Sequence, residues 1–227
     1  MQNRLLAGLT SKELQRLHPH LEQVSLSHGQ EIILPDEPIE FVYFPLNSLL
    51  SLVTMMEDGS TVEARAIGCE GMAGLPILLE AGTTPMRILT QIPGEAVRIK
   101  AKILKQKFDR GGALQKLLYR YIHTIIVISS QSAACNRLHC LEARLCRWLL
   151  MSSDGVGSTE LPLTQEFLAT MLGVRRAGVT EAASQLQSKG LIRYQRGYIQ
   201  IIDTKSLETA ACECYGVVKA EYERLFG

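Results

Sequence analysis

The sequence predicts an α+β fold in three zones: antiparallel strands, a long helix, and a C-terminal unit of two helices and a hairpin. Short apolar segments alternate with turn residues through residues 24–100. A helical apolar repeat runs through residues 113–151. Two short amphipathic helices and an alternating hairpin pattern follow between residues 163 and 202. We therefore expect a first domain at residues 1–112, a helix and hinge at 113–151, and a second domain at 152–227.

Length and composition are those of a soluble globular protein. The 227 residues are enough for two domains that each bury a core, and 46% hydrophobic with 21% charged residues is an ordinary balance. No apolar run approaches the roughly 20 residues that span a bilayer. The N-terminal segment lacks the long apolar stretch and small-residue cleavage site of a signal peptide. We therefore expect a cytoplasmic protein with no membrane partner.

The first zone is predicted to be a β sandwich or roll. Its strands recur at spacings near ten residues, which is typical of that architecture. A helix from about Ser11 to Leu21 precedes them, and Asp58-Gly59 predicts a hairpin turn between two of the strands. The predicted strands are Glu31–Leu34, Phe41–Phe44, Leu49–Met55, Thr61–Ile67, Met86–Gln91 and Ala96–Ile99.

The second zone carries apolar or small residues at alternating spacings of four and three, as in a coiled-coil seam. The strand zone looks too small to cover a seam of this length, so we predict a homodimer. The alternative is that the stripe packs only on its own β domain. A polar Gly/Ser segment, Ser152–Ser158, is expected to be a linker. The predicted seam consists of Leu114, Leu118, Tyr121, Ile125, Ile128, Ser132 and Cys135.

The third zone predicts two helices joined by a tight turn. Thr164 is a good N-cap for the first helix, and Gly173 supplies the turn. The second helix, about Arg176 to Ser188, has apolar residues at i, i+3, i+4 and i+7, which predicts one buried face. The buried positions are Val179, Ala182, Ala183 and Leu186, and the opposite face presents Arg176, Ala177, Thr180, Glu181 and Ser184.

A hairpin around Arg196-Gly197 completes this unit. Residues 161–200 hold five basic and two acidic side chains, whereas residues 1–110 hold 11 basic and 13 acidic ones. Helix, turn, helix and a basic wing are the parts that enter a major groove and hold phosphates. The alternative is an ordinary packing unit with solvated arginines. The predicted DNA contacts are Thr164, Gln165, Arg175, Arg176, Ala177, Thr180, Glu181, Ser184, Arg193 and Arg196.

The whole chain resembles the Crp/Fnr family of bacterial regulators. The resemblance is most specific in LTQEFLATMLGVRR and in KGLI before the wing, and Glu142–Leu150 is similar to the family's hinge. It implies a cyclic-nucleotide-binding-like β roll (a double-stranded β-helix), a dimerisation helix, a winged helix-turn-helix, a two-fold DNA site, and contact with RNA polymerase. The family's base-reading positions fall at Arg176, Ala177 and Glu181. Ala177 stands where many members carry Glu, so their usual target sequence is not assumed.

The signal is not identified by the sequence. Family members that bind cyclic AMP are expected to carry Gly-x-x-Gly-Glu and a later Arg-Ser/Thr-Ala. Here Thr84-Pro85-Met86 stands in place of Arg-Ser/Thr-Ala, and Arg87 is the next residue. Because the phosphate-binding arginine is absent from its expected position, we do not expect cyclic AMP to bind. Ser129 and Ser130 either touch a ligand or make local helix bonds. The candidate effector residues are Glu70, Thr84, Arg87, Ser129 and Ser130.

Other functional classes are weaker. No phosphate loop, Ser/His/Asp set or carboxylate pair is evident, so we expect no enzyme, no cofactor and no metal site, with all five histidines on the surface or in packing. The alternatives are a small β-barrel metalloenzyme and a ligand-independent DNA-binding dimer. Cys135, Cys140 and Cys146 are expected in a helical core, whereas Cys212-Glu213-Cys214 is expected to be more exposed, with a redox or metal role left open.

Overall fold

The structure is a computed structural model that describes residues 3–227. Seven strands form two antiparallel sheets, in the orders β1-β7-β3 and β2-β6-β4-β5, whose facing apolar sides enclose the core of a roll. The predicted antiparallel roll is confirmed, and so is the hairpin between β4 and β5. The strands are β1 Glu22–Leu26, β2 Glu31–Ile33, β3 Phe41–Pro45, β4 Leu49–Met55, β5 Thr61–Ile67, β6 Arg87–Ile92 and β7 Gly94–Lys100.

Short helices flank the roll. Helix α1 covers Arg4–Ala7, α2 covers Ser11–Leu17, and α3 covers Ala101–Asp109. The helix predicted to reach Leu21 ends at Leu17 and tightens into a 3-10 turn at His18–His20, because Pro19 cannot donate a helical hydrogen bond. A second 3-10 turn covers Leu75–Leu79 between β5 and β6.

The long helical zone is two helices, not one. Helix α4 covers Ala113–Leu138 and α5 covers Leu141–Val156, separated by an extended backbone at His139 and Cys140. The apolar repeat runs across the break because both helices are amphipathic, so periodicity alone could not locate it. Within residues 3–227, no helix is both long and apolar enough to cross a membrane.

The predicted linker Ser152–Ser158 is wrong, because α5 continues to Val156 and Ser152 is fully buried. Gly155 of α5 packs directly against Gly68 of the roll. A Cβ atom added to Gly68 would lie 2.3 Å from the Gly155 Cα. The backbone N–H of Cys69 donates to the Gly155 carbonyl at 2.9 Å. The expected domain boundary at residue 152 therefore falls inside a helix that packs on the roll.

The C-terminal domain places two helices beside a three-stranded sheet in the order β8-β10-β9. Its predicted hairpin is confirmed, with Arg196 and Gly197 both at positive φ, as a two-residue turn requires. Two helices follow the hairpin, and the second of them returns to pack on α4. The elements are β8 Glu160–Leu161, α6 Gln165–Leu172, α7 Arg176–Ser188, β9 Ile192–Gln195, β10 Tyr198–Ile201, α8 Thr204–Ala210 and α9 Cys214–Phe226.

The predicted dimer seam lies mostly inside the chain. Ile125 and Ser132 are partly buried, and the other five seam residues are at most 3% exposed within a single copy. The prediction assumed that the roll alone would have to cover α4. In the structure α9 covers one flank of α4 and the roll covers another, so these residues are buried without a second copy. The five buried residues are Leu114, Leu118, Tyr121, Ile128 and Cys135.

Candidate nucleic-acid interface

Helix α6 is held at both ends by the residues that the sequence singled out. The Phe167 N–H donates to Thr164 Oγ1 at 3.2 Å, which caps the first turn. Gly173 ends the helix in the left-handed region at φ +63°, where glycine carries no steric penalty. Leu168 and Met171 are buried, so the helix is fixed by its apolar face.

Helix α7 has one buried and one open face, as its periodicity predicted. Its inner residues are at most 5% exposed and pack against α5 and α6. No other part of the described chain covers its outer face, where all five predicted residues are exposed. These outer residues are Arg176, Ala177, Thr180, Glu181 and Ser184, and Arg175 before them is exposed as well.

Arg176 starts α7 and has only a weak partner. Its Nη1 lies 3.7 Å from Glu166 Oε2, and both side chains are about two-thirds or more exposed. Exposed ion pairs of this kind contribute roughly 0–1 kcal/mol. Arg176 is therefore free to exchange this carboxylate for an acceptor on a base or phosphate.

Gln165 connects α6, α7 and the wing. The Thr180 hydroxyl lies 2.8 Å from Gln165 Oε1 and 3.0 Å from the Arg176 carbonyl, either of which can accept its proton. The Gln165 N–H donates to Tyr194 Oη at 3.2 Å. The structure thus joins the predicted residues Gln165, Arg176 and Thr180 to Tyr194 of the wing in one hydrogen-bonded group.

The wing packs beside the start of α6. A Cβ on Gly197 at the wing tip would lie 3.6 Å from Thr164 Cγ2, and Arg193 and Arg196 are both exposed. Tyr194, which is not among the predicted residues, orients the wing by accepting the hydrogen bond from the Gln165 N–H of α6. The Tyr194 N–H in turn donates to Gln187 Oε1 at 2.7 Å. No sequence signal marks these two positioning residues beyond their place in a predicted strand and helix.

The C-terminal domain docks on the roll through α5 and α6. Trp148 Nε1 donates to Glu63 Oε1 at 2.8 Å, and Ser51 donates to the other oxygen of the same carboxylate. Burial raises the pKa of Glu63 to about 7, although Ser51 and Trp148 stabilise the charged form. Gly173 at the end of α6 approaches Val62 of β5. This docking leaves the outer face of α7 open.

The predicted effector residues do not form one site. A cavity of about 340 Å³ lies between the roll and α4, and of the five candidates only Thr84 and Ser129 line it. Glu70 accepts from the Gly68 N–H at 2.9 Å, outside the cavity. Arg87 pairs with Glu31 at 2.9 Å on the surface. Ser130 makes a local helix bond to the Ile126 carbonyl, the alternative that its position in the helix allowed.

The cavity contains an arginine that the sequence analysis did not consider. Arg65 on β5 is 8% exposed, and Nη1 donates to Tyr121 Oη at 3.0 Å. Its Nε is buried without a hydrogen-bond partner. Among the described lining residues Arg65 is the one charged side chain, and the rest of the wall is mainly aliphatic.

Four potential metal ligands also meet, although no metal site was expected beyond the role left open for Cys212 and Cys214. The ligand atoms of Cys135, His139, Cys212 and Cys214 all lie within 4.8 Å of one another. All three cysteines are buried, contrary to the expected exposure of Cys212 and Cys214. Cys140, expected in a core, is exposed. The sequence separation between the two pairs hid this cluster.

Comparison with known proteins agrees with the geometry. Residues 143–210, from α5 to α8, match the family described as the Crp-like helix-turn-helix domain. No curated protein sequence matches the chain.

Solved structures with the same fold cover nearly the whole chain. FixK2 from Bradyrhizobium japonicum superposes with a TM-score of 0.70 at 16% identity, over 85% of this chain and 98% of its own. TTHB099, a CRP-family transcriptional regulator from Thermus thermophilus, superposes with a TM-score of 0.67 at 17% identity, over 84% of this chain and 96% of its own. CLP, a c-di-GMP responsive regulator from Xanthomonas campestris, superposes with a TM-score of 0.64 at 17% identity, over 86% of this chain and 100% of its own. Residues 143–210 therefore match the Crp-like helix-turn-helix domain, and the chain as a whole has the fold of the Crp/Fnr transcription regulators.

Proposed function

We propose that this chain is a homodimeric transcription regulator that binds double-stranded DNA in a sequence-specific way and is not an enzyme. The open polar face of α7 carries the proposal. Its inner face is fixed in the domain core, while its outer residues have no cover in the described chain. A helix presented in this way, with a wing beside it, fits a major groove.

The outer face suits base recognition. Arg176 can donate two hydrogen bonds to guanine O6 and N7, and Glu181 can accept from cytosine N4. The Thr180 methyl group can contact a thymine methyl, and the small side chain of Ala177 allows close approach. Ser184, two turns along α7 from Ala177, can serve as donor or acceptor to a base or a phosphate.

Phosphate contacts fall around this face. Thr164 and Gln165 stand at the start of α6, where backbone N–H groups and the helix dipole favour an anion. Arg175 precedes α7, and Arg193 and Arg196 place positive charge on the wing. Such contacts position the protein without reading sequence.

The second copy is proposed to bind the exposed stripe of α4, in place of the predicted seam. Ile126 is 62% exposed and Tyr119 is 54% exposed, and the small residue Ala133 continues the same helical face. Apolar residues on an open helix face lose water contact when two copies associate. A two-fold axis along this stripe would present two α7 helices to major grooves roughly 34 Å apart. We also propose that the protein contacts RNA polymerase and that it is cytoplasmic.

The signal is proposed to enter the cavity beside α4 and not to be cyclic AMP. Arg87, the one arginine near the expected phosphate position, is committed to Glu31 outside the cavity. The buried Arg65 Nε without a partner favours an effector over a roll that is only a scaffold. A mainly aliphatic ligand with one acceptor or acidic group matches this lining.

Selection of bound sites from random duplex DNA tests the function. Arg176→Ala should relax preference at one position of each half-site and weaken binding by about 1–3 kcal/mol. Arg196→Ala should weaken all sequences evenly and reduce the salt slope by about one unit. Arg16→Ala, an exposed arginine on α2, is the matched control and should change neither.

Two results would contradict the proposal. One is that no duplex sequence is enriched at modest salt. The other is that Arg176→Ala keeps the full sequence preference of the wild-type protein, since α7 would then not be the reading helix.

A further inference from the structure

The cluster of Cys135, His139, Cys212 and Cys214 joins two segments that are far apart in the sequence. Cys135 lies in the last turn of α4, and His139 is the residue after the helix, with its N–H donating to the Cys135 carbonyl at 3.1 Å. Cys212 follows α8, and Cys214 is the first residue of α9. Three cysteines and one histidine are a ligand set found in structural zinc sites.

The distances fit a single ion. Cys135 Sγ lies 3.5 Å from Cys212 Sγ, and Cys214 Sγ lies 3.6 Å from His139 Nδ1. A tetrahedral zinc ion with bonds of about 2.3 Å to sulfur places its sulfur ligands roughly 3.7 Å apart. Small adjustments of side chains would bring all four donors into one coordination sphere.

The groups around the cluster are those that orient metal ligands. His139 Nε2 lies 3.1 Å from Glu213 Oε2, which leaves Nδ1 facing Cys214. A carboxylate on the far nitrogen of a ligating histidine fixes its tautomer and orientation. Gln131 Nε2 donates to Cys214 Sγ at 3.0 Å, a bond that a thiolate accepts well.

Charge and burial favour a closed site. Three thiolates and one divalent zinc carry a net negative charge, and the buried Arg147 lies nearby, donating to Ser132 on the turn before Cys135. The three cysteines are at most 7% exposed, whereas the His139 side chain is 23% exposed. A site with four protein ligands and little solvent access is structural rather than catalytic.

We propose that Cys135, His139, Cys212 and Cys214 bind one zinc ion, which fastens the start of α9 to the end of α4. An iron–sulfur cluster distributes its ligands over more than one iron, whereas all four donor atoms here lie within 4.8 Å of one another. The proposal does not rest on DNA binding, because metal content is measured without DNA.

The test begins with the metal content of the full-length protein, produced without a histidine tag and purified with a thiol reductant. We expect about one zinc per chain. Removing zinc with a chelator and adding cobalt should then give the visible bands of tetrahedral Co²⁺ together with thiolate-to-cobalt charge transfer. Cys140→Ser is the matched control, because Cys140 is exposed and outside the cluster, and it should retain both signals.

Variants of the ligands locate the site. Cys212→Ser combined with Cys214→Ser should lose the bound metal and the cobalt spectrum. His139→Cys, which replaces one zinc ligand by another, should retain metal with a stronger charge-transfer band. His139→Ala removes a direct ligand, so it should weaken zinc binding by more than the roughly 10–100-fold that follows removal of a hydrogen-bond partner of a ligand. If the double serine variant does not fold, the cobalt spectra of the wild-type protein and of His139→Cys still show whether this cluster binds the metal.

Three outcomes would overturn the proposal. The first is that the folded, reduced protein takes up neither zinc nor cobalt at stoichiometric levels. The second is iron accompanied by inorganic sulfide. The third is a Cys135–Cys212 disulfide in place of bound metal, detected as the loss of two hydrogens in the mass of that peptide pair.

Discussion

The Glu63 carboxyl group lies between the roll and α5, where it accepts hydrogen bonds from Ser51 and Trp148. Burial raises its pKa from 4.5 to about 7, so folding disfavours the charged form. Glu63→Gln keeps an oxygen for Trp148 and provides an N–H₂ group for the Ser51 hydroxyl, but it cannot ionise. We therefore expect this variant to be more stable than the wild-type protein at alkaline pH.

The size of the effect follows from the pKa. At about 1.4 kcal/mol per pKa unit, a shift from 4.5 to about 7 corresponds to an upper limit of about 3 kcal/mol. Glu63 is partly exposed, so about 1–3 kcal/mol is the expected range. A raised pKa makes the folded state bind the proton more tightly. The contribution of Glu63 is therefore fully present below its unfolded pKa and is lost as the pH rises through about 7.

Denaturant unfolding of both proteins between about pH 5 and pH 8 measures this difference. The advantage of Glu63→Gln should be small at the acidic end and should grow through neutral pH. Subtracting the two curves cancels titration of the other groups that both proteins share. An advantage independent of pH, or a variant less stable at alkaline pH, would show that Glu63 is not a desolvated carboxyl at this interface.

Two further predictions concern the dimer and the domain contact. Ile126→Glu should shift the proposed dimer to monomers in sedimentation, because it places charge on the exposed stripe of α4. Ile202→Glu, at a half-exposed position of the C-terminal domain, is the control and should not. A dimer that persists in Ile126→Glu would place the interface elsewhere. Gly68→Ala should lower the free energy of unfolding by about 1–3 kcal/mol, because its Cβ would lie 2.3 Å from the Gly155 Cα. Gly82→Ala, which meets nothing within 4 Å, is the control, and equal stability of the two variants would contradict the close contact.

Local patterns predicted much of the fold. The spacing of Val179, Ala182, Ala183 and Leu186 identified the inner face of α7, and all four residues are buried. Six of the seven strands of the roll were predicted from alternation and turn residues. Strand β1 was missed because Glu22–Leu26 is mostly polar and exposed, with one buried residue at its end.

Long-range packing could not be predicted in the same way. Heptad spacing in α4 showed which residues are apolar but not what covers them, and Tyr121 is buried by its own chain. Ser152–Ser158 has the composition of a linker, yet Gly155 lies in α5. A glycine fits this position because the backbone of the roll packs directly on the helix there. The Cys135 and Cys212 pairing depends on the return of α9, for which the sequence carries no local signal.

The return of α9 adds an attachment between the C-terminal domain and the rest of the chain. Helix α5 leads into the domain and packs on the roll, α6 contacts β5, and α9 buries Val218 and Tyr222 in the core beneath α4. Contacts on three sides restrict movement of the domain relative to the roll. A change in the position of α7 would therefore require α4 or β5 to move with it.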